Sequence, residues 1–346
     1  MERRWKQRPE GSNWGEFGPD DQFGRLNLLT PERLRRAAEE VREGRNFCLS
    51  LPLDYPGGNV LNPRRRPPEL RPTYAGDDPM MNFPLSRRDP ANTDVVNDDQ
   101  VLISLQYSSQ WDSLAHIGAW FDADGDGEPE KVYYNGYRAG VHVVGPVDYD
   151  GEGRATDGAP TGARALGVDR LAVKPVQGRG VLVDLAAHFG RARKLVGHDE
   201  LMAVMDADGV AVAAGDILVL RTGFAEVLLE MHRAPVKAVL DRSCAVLDGR
   251  DEALLQWITD SDIAAICCDN YAVEAYPARP QDGRRPALPL HHHCLFKLGL
   301  PLAELWYLKE LAEWLRAHGR SRFLLTAPAL RLPGAVGSPV TPVATV

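Results

Sequence analysis

Short apolar runs of strand length, separated by segments of helical periodicity, constrain this chain more than any other feature. The runs cover 101–107, 180–185, 217–221, 263–268 and 323–326, each too short for a helix and flanked by turn signals such as Ala214-Gly215-Asp216. Helical spacing fits 225–232, 252–259 and 302–317, the last carrying Leu305, Leu308, Leu311 and Leu315. A further helix is predicted over 32–42, with Thr30 as its cap and Pro31 at its first position. This alternation predicts a mixed α/β fold, and the absence of a visible linker favours one domain over 1–346. Two stretches stand outside it: an N-terminal extension, 1–30, and a Pro-rich arm or lid, 51–90, with the basic run Arg64-Arg65-Arg66.

Composition narrows the function classes. With 40 Lys+Arg against 48 Asp+Glu the formal charge is −8, which argues against a nucleic-acid or anionic-membrane binder. Five cysteines without a C-x-x-C spacing read as reduced thiols. No segment reaches the ~20 apolar residues of a membrane helix and the start lacks a signal-peptide core, so a cytoplasmic protein acting on a small molecule is expected. Nucleotide-binding signatures are missing; Gly151-Glu152-Gly153 lacks a third glycine and a preceding strand.

Several clusters carry candidate chemistry. Asp122-Ala123-Asp124-Gly125-Asp126-Gly127 begins like a calcium loop, but Tyr133 at the twelfth position is no bidentate ligand, so a polar turn is the better reading. His291-His292-His293-Cys294 is the densest group of metal-capable side chains, and three consecutive residues cannot all face one ion. Asp112 and His116 follow a predicted strand, and Glu304 lies at the predicted start of the 302–317 helix. Asp269, Asn270 and Glu274, after the 263–268 run, either line a pocket or hold a turn. Trp111, Trp120, Tyr134 and Tyr137 either face an aromatic substrate or pack in the core.

Taken together, these residues resemble the cyclase family that includes bacterial kynurenine formamidase and isatin hydrolase. The resemblance runs through Trp14-Gly15-Glu16-Phe17-Gly18-Pro19, Gln110-Trp111-Asp112, Tyr134-Asn135-Gly136, Arg221-Thr222-Gly223, the stretch from Asp269 to Glu274, and Gly337-Ser338-Pro339. It implies a mixed-sheet β/β/α swivelling-domain fold and a homodimer or homotetramer. The family's hydrolases carry H-x-G-T-H-x-D-x-P-x-H. Here Gln106 and Gln110 replace the two metal-binding histidines, while Asp112 and His116 match. A second ligand set in the family pairs that aspartate with a later histidine and a glutamate twelve residues beyond it, a spacing met by His292 and Glu304.

The resemblance therefore implies one divalent ion, Mn²⁺ or Zn²⁺, on Asp112, His292 and Glu304, with His116 as general acid/base. Gln106 and Gln110 are expected to donate hydrogen bonds to a carbonyl oxygen. Trp111, Tyr134, Asn135, Asp269, Asn270 and Glu274 are expected to bind substrate. The implied reaction is hydrolytic opening of a cyclic or N-acyl amide, lactam or lactone, or the reverse cyclisation. The alternative is a metal-free cyclase, dehydratase or isomerase using Asp112 and His116 as an acid-base pair.

Overall fold

The computed structural model describes residues 3–145 and 161–346 throughout, and of 146–160 only the backbone of 147–149 and 155–157; Gly151-Glu152-Gly153 lies outside the described residues. Among the described residues nine strands form one mixed sheet. In chain order they are Asn46–Cys48 (β1), Gln110–Asp112 (β2), Gln177–Asp184 (β3), Ile217–Arg221 (β4), Ala265–Cys268 (β5), Leu302–Glu304 (β6), Arg322–Thr326 (β7), Gly337–Pro339 (β8) and Val343–Thr345 (β9). Their spatial order is β1-β9-β7-β3-β4-β5-β6-β2-β8. The four central strands, β3 to β6, run parallel and the flanking ones antiparallel.

Burial on both faces explains why the central strands are almost wholly apolar. Val181, Val183, Leu218, Leu220, Ile266 and Leu302 point into one core cluster. Leu182, Ile217, Val219, Ala265, Cys267 and Ala303 point into another on the opposite face, as the two-residue period of a strand requires. The helices His198–Ala207 and Glu252–Asp260 cover the first face through Leu201, Val204, Leu254 and Ile258. Lys309–Ala317 covers the second through Leu311, Ala312 and Leu315.

Four of the expected elements differ. The 302–317 segment is no continuous helix: Leu302–Glu304 is a strand and the helix begins at Lys309. Pairing with β5 and β2 overrides the helical spacing of its leucines. The 101–107 run is not the strand that leads to Asp112. Only Asp99–Leu102 is extended, exposed, and paired with Glu69–Pro72 in the Pro-rich arm, while the strand at Asp112 is Gln110–Asp112 itself. The arm is thus built of short antiparallel pairs reaching Leu102, beyond its expected end. The first helix stops at Ala38 rather than Arg42.

The N-terminal extension folds back against the sheet's helical layer. Arg25 donates to the carbonyls of Ile258 and Thr259, and Trp14 Nε1 to that of Phe296. Gly24 and Gly299 meet backbone to backbone: a Cβ on Gly24 would lie 2.0 Å from the Gly299 oxygen. No helix among the described residues is long and apolar enough to cross a membrane.

Candidate active site

Sheet register assembles the site. Glu304 lies opposite Gln110, and Leu302 opposite Asp112, in the antiparallel pair β6-β2. Directly opposed residues share a face, and so do residues two apart, which puts Gln110, Asp112 and Glu304 on one face of the sheet and Trp111 on the other. Asp112 and Gln110 are fully buried and Glu304 nearly so. Such a concentration of buried acid is costly unless cations or donors meet it.

The histidine that meets it is His291, where spacing had pointed to His292. His291 Nε2 lies 3.2 Å from Glu304 Oε1 and 3.9 Å from Asp112 Oδ2. His292 packs tilted against Phe296 with ring centroids 4.9 Å apart, and His293 Nε2 meets Thr259 Oγ1 at 2.9 Å. Consecutive helical residues are rotated by about 100°, so each of the three histidines takes a different direction. The count of thirteen between His291 and Glu304, one more than the family spacing, has a local cause: His292–Leu298 forms a π-helical turn, which holds an extra residue. Cys294 is buried in the core beside it, its thiol pushed up by burial.

Glu274 holds His291 in place. Its Oε1 accepts from His291 Nδ1 at 2.8 Å and from the His291 backbone N–H at 2.9 Å, and its Oε2 accepts from Leu290 N–H at 3.0 Å. Gly249 leaves room for that carboxylate, since a Cβ there would stand 2.2 Å from Glu274 Oε2. Glu274 is therefore an orienting group rather than a substrate contact. A carboxylate that fixes Nδ1 and leaves Nε2 turned toward two further carboxylates is the arrangement that metal-binding histidines use.

The charges are mutually dependent. Burial disfavours a charged His291, but its hydrogen bonds to Glu274 and Glu304 and their charges outweigh that and raise its pKa to about 10. Burial pushes Glu304 up, yet the hydrogen bond and charge of His291, with Arg65 and His116, bring it below the ordinary range. Asp112 goes the other way, raised by burial and by the charge of Glu304.

His116, one-fifth exposed, stands on the rim with Nε2 3.9 Å from Asp112 Oδ1. Burial lowers its pKa, which leaves it neutral at pH 7. Its Nδ1 and the Gln106 side-chain amide are 2.9 Å apart; an amide turned with its oxygen to the ring accepts Nδ1–H and leaves the Nε2 lone pair free to take a proton. Gln110 Nε2 lies 3.2 Å from Glu304 Oε2 and 3.4 Å from Asp112 Oδ1, bridging the two carboxylates. The two glutamines serve their neighbours instead of an approaching carbonyl.

The remaining expected substrate contacts lie elsewhere. Trp111 is in the opposite core, edge-on to Trp306, with Nε1 donating to the Ala327 carbonyl. Tyr134 and Asn135 are buried against the N-terminal extension; Asn135 Nδ2 donates to the carbonyls of Gly18 and Asp21. Asp269 accepts from the backbone N–H groups of Thr222 and Gly223 and from Thr222 Oγ1, and Asn270 Nδ2 donates to the Ala245 and Val273 carbonyls. Each short polar side chain ties down a turn of its own. Asp122 likewise accepts from the N–H groups of Gly125, Asp126 and Gly127, a polar turn on the surface. A small cavity of about 10 Å³ next to Leu305, the sequence neighbour of Glu304, is lined by Asn62, Arg65, Tyr107 and Tyr271. Of these the sequence had marked only the basic run that contains Arg65.

The donor set fits a divalent cation. Ligand atoms of Asp112, His291 and Glu304 lie within 4.8 Å of one another, and Asp112 Oδ2 is buried with no hydrogen-bond partner. Two carboxylates and one imidazole suit Mn²⁺ or Zn²⁺ better than a soft metal.

Comparison with known proteins agrees with this architecture. A family model described as putative cyclase matches residues 49–275. A crystal structure described as a novel cyclase is 30% identical over 97% of both chains, with a TM-score of 0.72. Isatin hydrolase A from Ralstonia solanacearum is 16% identical, with a TM-score of 0.55 over 91% of this chain and 97% of its own. Isatin hydrolase A from Labrenzia aggregata, bound to benzyl benzoate, is 15% identical, with a TM-score of 0.54 over 90% and 95%. At such identities the two hydrolases share the fold. No curated protein matches the chain.

Proposed function

The chain belongs to the cyclase family, and on that premise we propose that it is a metal-dependent hydrolase opening an amide, lactam or lactone of a small molecule. One observation carries the reading: the unpartnered, fully buried Asp112 Oδ2 faces an imidazole nitrogen and a second buried carboxylate. A buried carboxylate oxygen without a donor costs several kcal/mol in principle, and a cation shared with His291 Nε2 and Glu304 removes that cost. Such an ion supplies Lewis acidity and lowers the pKa of water within its reach.

The chain's own groups then do the following. Glu274 keeps the His291 proton on Nδ1 and its Nε2 lone pair turned to the carboxylates. The neutral His116 takes a proton from water at Nε2 and then gives it to the leaving nitrogen or oxygen through the same atom. Gln106, with its amide oxygen turned to Nδ1–H, keeps the Nε2 lone pair free for that task, and Gln110 holds Asp112 and Glu304 together. The test is elemental analysis of protein purified without added metal, followed by a screen of N-formyl aromatic amines, cyclic imides and lactones before and after chelation. About one equivalent of Mn or Zn, with turnover abolished by chelation and restored by the ion, is expected. Less than a tenth of an equivalent with undiminished turnover defeats the reading.

That second outcome has a structural basis of its own. A protonated His291 between Glu274 and Glu304 offsets one of their two charges without any ion, and would leave Asp112 and His116 as the acid-base pair of a cyclase, dehydratase or isomerase.

A further inference from the structure

The basic run of the Pro-rich arm reaches the site through one residue. Arg64 and Arg66 are exposed, whereas Arg65 is half-buried, and its Nη1 donates to the Gln106 carbonyl at 2.6 Å. Gln106 in turn touches His116. Among the described residues the Arg65 guanidinium has no ion-pair partner, although many other arginines of the chain do. Its charge acts on Asp112, Glu304, His116 and Tyr271 alike. It lines the same cavity as Asn62, Tyr107, Tyr271 and Leu305, the last adjacent in sequence to Glu304.

An unpaired guanidinium, anchored at one nitrogen and open at the others, is a fork for an oxyanion. The need for one is evident from the glutamines. Both hydrogens of Gln110 Nε2 are directed at Asp112 and Glu304, and the Gln106 amide lies against the His116 ring, so Gln110 has no donor left for a substrate carbonyl where the family's hydrolases have a histidine.

We propose that Arg65 supplies that stabilisation: it hydrogen-bonds the carbonyl oxygen on which negative charge develops, and then holds the carboxylate that hydrolysis leaves. The inference rests on the hydrolase reading above. In the step concerned, the oxygen of water bonds to the carbonyl carbon and the carbon–nitrogen or carbon–oxygen bond breaks. His116 takes one proton from that water and, as imidazolium, gives it to the leaving atom; the second water proton passes from the acid product to the freed amine or to solvent, and the carboxylate remains against Arg65.

Benzoate and benzamide, equal in shape and different in charge, probe the assignment by titration calorimetry on the metal-loaded protein. Wild type is expected to bind benzoate at least tenfold more tightly than benzamide. Arg65→Ala and Arg65→Gln should bring the two within threefold, Arg65→Lys should keep part of the preference, and Arg66→Ala all of it. Thermal melts of the Arg65 variants check that each is folded; the glutamine retains a donor for the Gln106 carbonyl. A benzoate preference that survives in both Arg65→Ala and Arg65→Gln overturns the proposal, as does equal binding by wild type. If the preference disappears in Glu304→Gln but not in Arg65→Ala, the carboxylate sits on the metal centre: Arg65 is then wrong and the hydrolase reading stands. Failure of the hydrolase reading appears separately, as absent metal.

Discussion

Glu274→Gln tests how far this site depends on a group that touches neither substrate nor metal. The carboxylate accepts three hydrogen bonds, two on Oε1 from the backbone and ring of His291 and one on Oε2 from Leu290, all between 2.8 and 3.0 Å. Glutamine is nearly the same shape but keeps one acceptor oxygen. In its better orientation the oxygen serves His291 and the NH₂ confronts the buried Leu290 N–H, donor against donor. Losing one charge-assisted bond and leaving a buried N–H unpaired costs about 2–3 kcal/mol, which in a chain of this size lowers the melting temperature on the order of 5 °C. The orienting charge on Nδ1–H is lost as well, and by analogy with other outer-shell carboxylates metal affinity should fall roughly 10–100-fold. Differential scanning calorimetry reads the first effect, and competition with a chelator of known affinity the second. A variant that melts with wild type and binds metal equally well would refute the role given to Glu274.

Other positions follow from the same contacts. Gly249→Ala places a methyl 2.2 Å from Glu274 Oε2 and 2.9 Å from Leu290 N, so it should reproduce the metal-affinity loss of Glu274→Gln; a chelator titration identical to wild type would contradict this. His116→Ala should lower kcat by roughly 10²–10⁴ while leaving metal content unchanged, which turnover of a substrate found in the screen and elemental analysis check together. His293 is kept neutral by burial, with Lys297 and Arg25 adding to the effect, and its pKa is pushed down to about 4. An unfolded histidine takes a proton near pH 6.5, so the folded chain loses stability as pH falls from about 6.5 to 4, by up to about 3 kcal/mol from this group. Urea unfolding at pH 7 and pH 4.5 should show a smaller acid loss in His293→Gln, which keeps a donor for Thr259; an unchanged loss would exonerate His293.

Residue types and order carried much of this architecture. The runs at 180–185, 217–221 and 263–268 are apolar on both faces because both faces are covered, and with 323–326, where burial alternates, they mark β3, β4, β5 and β7 to within a few residues. Asp112 and Glu304 were legible as a pair from the family motif, since each side chain stands on a strand whose register decides what it faces. What stayed illegible depended on local geometry that counting cannot supply. A π-helical turn shifts the histidine by one residue, from His292 to His291. The leucines at 305, 308, 311 and 315 mimic a helix that starts only at Lys309, because β-pairing claims the first three residues. Glu274 was expected among substrate contacts from the resemblance, with a strand-end turn as the other reading, and its partner His291 lies seventeen residues further on. Arg65 comes from an arm whose short paired strands have no apolar period to announce them, and Trp111 alternates with its two functional neighbours onto the opposite face.

The central claim is that Asp112, His291 and Glu304 together hold one divalent ion, with His292 packed aside. Metal content of His291→Ala and His292→Ala, measured side by side by elemental analysis after identical purification, tests it most directly. The account expects His291→Ala to fall below a tenth of an equivalent while His292→Ala retains the wild-type amount. Full metal in His291→Ala, or its loss in a folded His292→Ala, would contradict it.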